Sequence, residues 1–423
     1  MTEIKKEKII NWIKDNKLIL LVSSFFVGWK FFLISILFNN EWVRGGDALI
    51  YISHIDSINK CSYVVFCKQF LLSLDHYFGF EHLSYRLFFG FIGHLLKLDS
   101  QAVFHLSFYV GILILVPALI IFLKNIETDK RLTAFLLFFL ALYNGSGYHG
   151  FWCVVPSFFA TLLIFIIFAI ILGNYKHWKI ILLVLIPVGI YTHTIFVYLM
   201  TTIVFFYIFY SFFTKKIDTV MLKKIAFSIF ILVVFYIPVS YHSGGNPYGP
   251  ETFLKDSNIS LSIQSPKAND PLSNPSPNKQ SRYSNENLFP GFSDIRGNYF
   301  DWIFFNPVFV IIFLYIIFVL FYYKQYKILS IYFASLTLPL ISSINENAER
   351  AIVFTWPITF LLYAYGIWFS FKLNDKLIKN RIANTTIKIF LYLSIAIFII
   401  VNLIYSYGIN QSLHFGIQNF LNI

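Results

Sequence analysis

Charge is scarce in this chain: only 13% of its 423 residues are Asp, Glu, Lys or Arg, about half the share of a soluble domain. A chain so poor in charge has too little polar surface to wrap a water-facing globule around its apolar residues. Cysteine is also rare. Cys61, Cys67 and Cys153 are the only three, they lie in or beside apolar runs, and their spacing fits neither a zinc site nor a disulfide framework. They read as small buried hydrophobes. Catalytic signatures of soluble enzymes are missing as well: there is no HExxH, no CxxC, no glycine-rich nucleotide loop and no serine nucleophile elbow. A mechanism driven by a soluble nucleotide-sugar or ATP therefore has no support. The lysine-rich start, MTEIKKEKIINWIKDNK, is followed by no small-x-small cleavage site, so it reads as retained. No repeat of fixed period is visible.

What is abundant is hydrophobic length. Hydrophobic residues make up 57% of the chain and mean hydropathy is +0.68. Uncharged apolar runs fall at 18–38, 103–123, 132–143, 151–172, 180–190, 195–213, 225–239, 302–322, 328–344, 351–371 and 389–407. The expectation is an all-α, polytopic α-helical membrane protein of about 11 transmembrane helices, one membrane domain over 1–423. The runs at 132–143 and 180–190 are short for a hydrocarbon core of about 30 Å, so they are half-spans or reach into their flanking loops. Threaded with the N-terminus inside, the chain puts 21 of its 33 lysines and arginines inside and 14 of its 21 acids outside. The net charge of +12 is then a topology signal rather than a nucleic-acid footprint.

That threading gathers the chemistry on the outer face. The first outer loop, 39–101, opens with NNEWVRGGDALIYISHIDSINK and carries Glu41, Asp47, Tyr51 and Asp56. Glu41 stands beside Trp42, where desolvation raises a carboxyl pKa toward neutrality. Asp47 follows a Gly-Gly turn and starts a short apolar segment, so it is a helix cap, a base or a metal ligand. Asp56 and Glu346 are expected simply to meet water. Residues 61–101 carry charges too often for a buried span and read as two amphipathic helices lying in the outer interface, aromatics down and charges up. Arg86 on the second offers a bidentate fork for phosphate at headgroup height, or snorkels to lipid. His149 in NGSGYHG and His193 in IYTHTIF approach the same face. Glu349 and Arg350, in SINENAER, stand at the mouth of a late span, where Arg350 pairs with a glutamate or binds phosphate. The second large outer loop, 241–301, is rich in Ser, Asn and Pro and its centre reads as partly disordered.

In this layout the chain resembles the polytopic GT-C glycosyltransferases. The features carrying the resemblance are an acid in the first outer loop (EWVRGGDALIY), an interfacial helix with an arginine (EHLSYRLFF), a histidine turn between short spans (YTHT) and an acid-arginine pair ahead of a late span (AERAIVFTWP). The first loop lacks an adjacent acidic pair, and no folded C-terminal domain follows the spans. The resemblance implies an enzyme of the bacterial inner membrane, with its site on the periplasmic face. It would transfer a hexose from an undecaprenyl-phosphate-linked donor to a surface glycan such as O-antigen lipopolysaccharide. Asp47 or Glu41 would then be the base and Arg86 and Arg350 the holders of the donor phosphate, with His149, His193, Tyr51 and Glu349 on the acceptor. Membrane lipids are the other expected partner and nucleic acid is not one. No cofactor is implied; a divalent metal is compatible with the chemistry, but no ligand spacing calls for it.

Two other functions fit the same layout. An O-antigen or capsule polymerase would join lipid-linked repeat units on the same face. A polysaccharide or lipid transporter would place polar residues at mid-membrane, where the apolar runs hold little besides Lys30.

Overall fold

The computed structural model describes residues 3–39, 51–52, 55–56, 83–127, 129–143, 156–193, 195–242, 307–342, 352–379 and 381–405. Among these residues are twelve helices and no strand: α1 Glu3–Asn39, α2 Leu83–Leu96, α3 Ser100–Ile126, α4 Lys130–Leu142, α5 Pro156–Leu172, α6 Trp178–Thr192, α7 Ile195–Thr214, α8 Thr219–His242, α9 Pro307–Tyr322, α10 Tyr326–Ser342, α11 Ile352–Leu377 and α12 Arg381–Tyr405. The 241–301 loop lies outside the described residues from 243 onward.

Aspartates set several of the starts. Asp99 accepts the amide of Ala102 at 2.8 Å, Asp129 accepts that of Arg131 at 2.8 Å, and Asp218 accepts that of Met221 at 2.9 Å. Each satisfies a donor that the first turn of a helix leaves orphaned. Lysines mark several of the ends. Lys97, Lys215 and Lys324 follow α2, α7 and α9 with positive φ, and after α2 and α9 the next residue closes a six-to-one bond, Leu98 to Gly93 and Gln325 to Leu320. These are Schellman-type stops, with a cation at the negative end of the helix dipole.

Two helices form the axis. Every residue of α11 from Phe354 to Ile367 is buried, and α5 is covered almost as fully. A helix apolar all round must be enclosed by others. Helices α4, α5, α9, α10 and α12 pack around α11, while α3, α6 and α7 pack on α5. Aromatic contacts lock this axis, with Phe168 stacked on Phe354 at 5.9 Å and Tyr143 edge-on to Phe360 at 4.9 Å.

The outer helices α1, α7, α8, α9 and α12 instead present large apolar side chains outward, among them Phe212, Ile311 and Ile382, the last 79% exposed. Such a surface is stable against lipid and unstable against water. Among the described residues, four segments, Asn11–Ser35, Ser100–Ile126, Ile195–Thr214 and Thr219–Ile237, are long and apolar enough to cross a membrane. That is fewer than the eleven runs read from sequence. With 13, 17 and 15 residues, α4, α5 and α6 reach about 20, 26 and 23 Å at 1.5 Å per residue. Short helices of this kind end inside the bundle.

Ends placed there need donors, and lysines on neighbouring helices supply them. Lys30 of α1 donates to the carbonyl of Tyr143, which closes α4. Lys224 of α8 donates to Ile170, Ile171 and Gly173 at the end of α5. Lys327 of α10 donates to Asn125 near the end of α3. In each case the ammonium meets the negative end of a helix dipole.

The start of α12 corrects the sequence reading. Lys388, assigned to a loop, lies on this helix and pairs with Asp375 at 2.6 Å. Hydropathy had placed the boundary at 389 because the first two turns, RIANTTIK, are polar, but a polar face does not stop a helix.

Candidate functional site

Helix α2 is the element that organises the described part of the site. Its buried face consists of Leu83, Tyr85, Arg86, Phe89, Gly90 and Gly93, at helical spacing, and it packs against α3 and α6. Phe88, Phe91, Leu95 and Leu96 face outward. The orientation expected from sequence, aromatics down and charges up, is thus reversed for Arg86. Gly90 and Gly93 share that buried stripe with Arg86, which is 5% exposed. A guanidinium enclosed by protein cannot snorkel freely to lipid headgroups.

Tyr51, also enclosed, brings the first loop onto this helix. Its ring centroid lies 6.0 Å from that of Tyr85 and 6.4 Å from that of Phe104 on α3. Tyr85 continues the cluster to Phe89 at 4.8 Å and to Phe159 of α5 at 5.7 Å, and its hydroxyl lies 3.1 Å from the Ser107 hydroxyl. One aromatic patch therefore joins the residue 51 segment to α2, α3 and α5. Aromatic contacts of this kind add about 0.5–1.5 kcal/mol each beyond burial.

Asp56, expected to meet water, has a structural partner instead. Ser100, the first residue of α3, donates its hydroxyl to the Asp56 carboxylate at 2.8 Å. An anion at a helix start is favoured by the dipole. No local pattern could have signalled a pair 44 positions apart.

His193 closes α6 and is fully enclosed. Its Nδ1 accepts the amide of Ile195 at 3.1 Å, and its carbonyl accepts that of Phe196 at 2.9 Å. With Nδ1 accepting, the neutral ring carries its proton on Nε2. The turn is tight because Gly189 lies against the Phe196 ring, where a Cβ would collide.

Of the candidate residues, Tyr51 packs on Tyr85, the neighbour of Arg86 on α2, and His193 closes α6, which packs against α2. Glu41, Asp47, His149, Glu349 and Arg350 lie outside the described residues, as does Glu346. Among the described residues, no three His, Cys, Asp or Glu side chains group closely enough to hold a metal ion. Tyr85, Ser100 and Ser107 were not singled out in the sequence; only the adjacency of Tyr85 to Arg86 offered a clue. Comparison of the chain with family models, curated proteins and solved structures finds no match.

Proposed function

We propose that this protein is a membrane glycosyltransferase that moves a sugar from a polyprenyl-phosphate carrier to a surface glycan at the outer face of the bilayer. In this reading the N-terminus is inside, and the short α4, α5 and α6 extend from the inner side as partial spans. The observation that carries it is Arg86 on the inward face of α2, with Tyr51 packed on Tyr85, the sequence neighbour of Arg86. Four peptide units separate Asp47 from Tyr51, so covalent reach alone keeps that carboxyl-bearing residue within about 14 Å of the anchor. An acid tethered to that anchor, and a sheltered guanidinium on the helix the anchor packs against, suit a reaction in which one deprotonates an acceptor hydroxyl while the other receives the phosphate left behind.

The step balances without a cofactor. The acceptor oxygen gives its proton to Asp47 or Glu41 and bonds to the anomeric carbon. The bond from that carbon to the phosphate oxygen breaks, and the phosphate leaves with the electron pair, its charge met by Arg86 and Arg350. In-line attack inverts the anomeric centre. A transport reading would need polar groups free for cargo, whereas Lys224 and Lys327 are engaged with helix-end carbonyls.

The test is transfer by the purified protein in detergent, with radiolabelled hexose on undecaprenyl phosphate and extracted lipid-linked glycan. Single-sugar addition that falls about 10²–10⁴-fold in Asp47→Asn or Glu41→Gln supports the reading and names the base. Ladders of repeat units made without the monophosphate donor would make the protein a polymerase. Absence of turnover with any donor would remove the enzymatic reading.

A further inference from the structure

We propose that the corner where α9 and α11 end and α12 begins binds an anionic glycerophospholipid from the surrounding leaflet. Its phosphate would lie against Lys372 and Lys376, and an acyl chain would lie along the outward face of α9.

Both lysines are on α11, four residues apart, and both are exposed. Each is held against aromatic rings. Lys372 lies over Phe369 at 5.1 Å and Trp368 at 5.8 Å, and Phe369 packs on Tyr323 at 4.9 Å. Lys376 lies over Tyr322 at 5.4 Å and contacts its hydroxyl at 3.2 Å. A ring face under an ammonium fixes its position without neutralising it.

The nearby carboxylate does not neutralise them either. Asp375, between the two in sequence, is held by Lys388 at 2.6 Å and by the Asn384 amide at 3.2 Å, both on α12. Lys379 and Arg381 add charge at the same corner, and both are exposed. Among other lysines, Lys224 and Lys327 cap helices, and Lys130 donates to the Asp15 carbonyl.

Beyond the lysines runs the outward face of α9, with Ile311, Leu314, Phe318 and Phe321 exposed. They follow the spacing of one helix stripe and extend about 15 Å, half of a hydrocarbon core of about 30 Å. Two cations at one end of an apolar stripe one leaflet deep match a phosphate headgroup above an acyl chain.

The experiment is thermal unfolding of the full chain in nanodiscs of phosphatidylcholine alone and of phosphatidylcholine with phosphatidylglycerol. The wild type is expected to melt several degrees higher with phosphatidylglycerol. The Lys372→Gln/Lys376→Gln double variant should melt like wild type in phosphatidylcholine and lose that increment, while Lys179→Gln should keep it. Inorganic phosphate added to phosphatidylcholine discs should not reproduce it. Equal melting of the wild type in the two discs, an increment retained in the double variant, or full reproduction by inorganic phosphate would each overturn the proposal. If the double variant does not fold, the single variants Lys372→Gln and Lys376→Gln carry the test, and an undiminished increment in both would overturn it.

Discussion

The ammonium of Lys224, on α8, donates to the carbonyl of Ile170, in the last turn of α5, at 3.0 Å. Ile171 and Gly173 accept from the same nitrogen. The end of a central helix is thus closed by a side chain from an outer one. Replacing Lys224 with Met removes a buried cation, which is favourable, but leaves three carbonyls short of a donor at about 1–3 kcal/mol for each unsatisfied group. The loss is larger. Lys224→Met should destabilise the protein by about 2–4 kcal/mol, read by thermal or denaturant unfolding in detergent; wild-type stability in that variant would show the cap to be incidental.

Gly366 and Gly28 form a matched pair for testing the packing of the axis. A methyl at 366 would run into Ile316 of α9, including its Cβ, which cannot swing away, whereas a methyl at 28 meets nothing within 4 Å. Gly366→Ala should cost about 1–3 kcal/mol through overpacking. Gly28→Ala should be neutral or gain up to about 1 kcal/mol from helix propensity. Equal melting temperatures for the two variants would contradict the close approach of α9 and α11.

Asp56 and Ser100 should be coupled. Removing either the carboxylate, as Asp56→Asn, or the hydroxyl, as Ser100→Ala, loses one hydrogen bond of about 0.5–1.5 kcal/mol. The double variant should then be less destabilised than the sum of the two, and a double-mutant cycle with no interaction energy would deny the contact.

Asp375 predicts a pH dependence. The Lys388 ammonium and the Asn384 amide, both donating to its carboxylate, hold its pKa below the ordinary value of 3.8. A depressed folded-state pKa means that the stabilisation is full above the ordinary pKa and is lost as pH falls through the lower, folded value. The effect is thus confined to pH below about 4. Asp375→Asn should flatten that acid limb by lowering melting near neutrality toward the wild-type value at low pH, as a series of melts between pH 6 and 3 would show.

The helices were legible where apolar runs are long: the runs at 103–123 and 195–213 lie within α3 and α7, and the short run at 180–190 lies within the short α6. Composition could not say which runs face lipid: α9 is the more apolar of α9 and α11, yet packing makes α11 the axis and α9 the rim. The site was legible as residue types and less so as geometry. Arg86 was singled out for its chemistry, but its inward orientation follows from the packing of α2 on α3 and α6. The Asp56–Ser100 pair depends on tertiary approach alone. Buried lysines are read from sequence as breaks in hydrophobicity; their carbonyl partners belong to other helices.

The enclosure of α11 also bears on how the protein is made. The ribosome releases this helix after α4, α5, α9 and α10, so the surfaces that receive it exist before it does. Its contacts with them, such as Phe360 with Tyr143 and Trp368 with Phe135 at 5.4 Å, join parts of the chain far apart in sequence. Until α11 arrives, those surfaces must be covered by lipid, which solvates apolar side chains well enough to keep the intermediate soluble in the bilayer. Assembly of the axis is therefore a late, long-range event, and a chain arrested before residue 352 would be inserted but lack its centre.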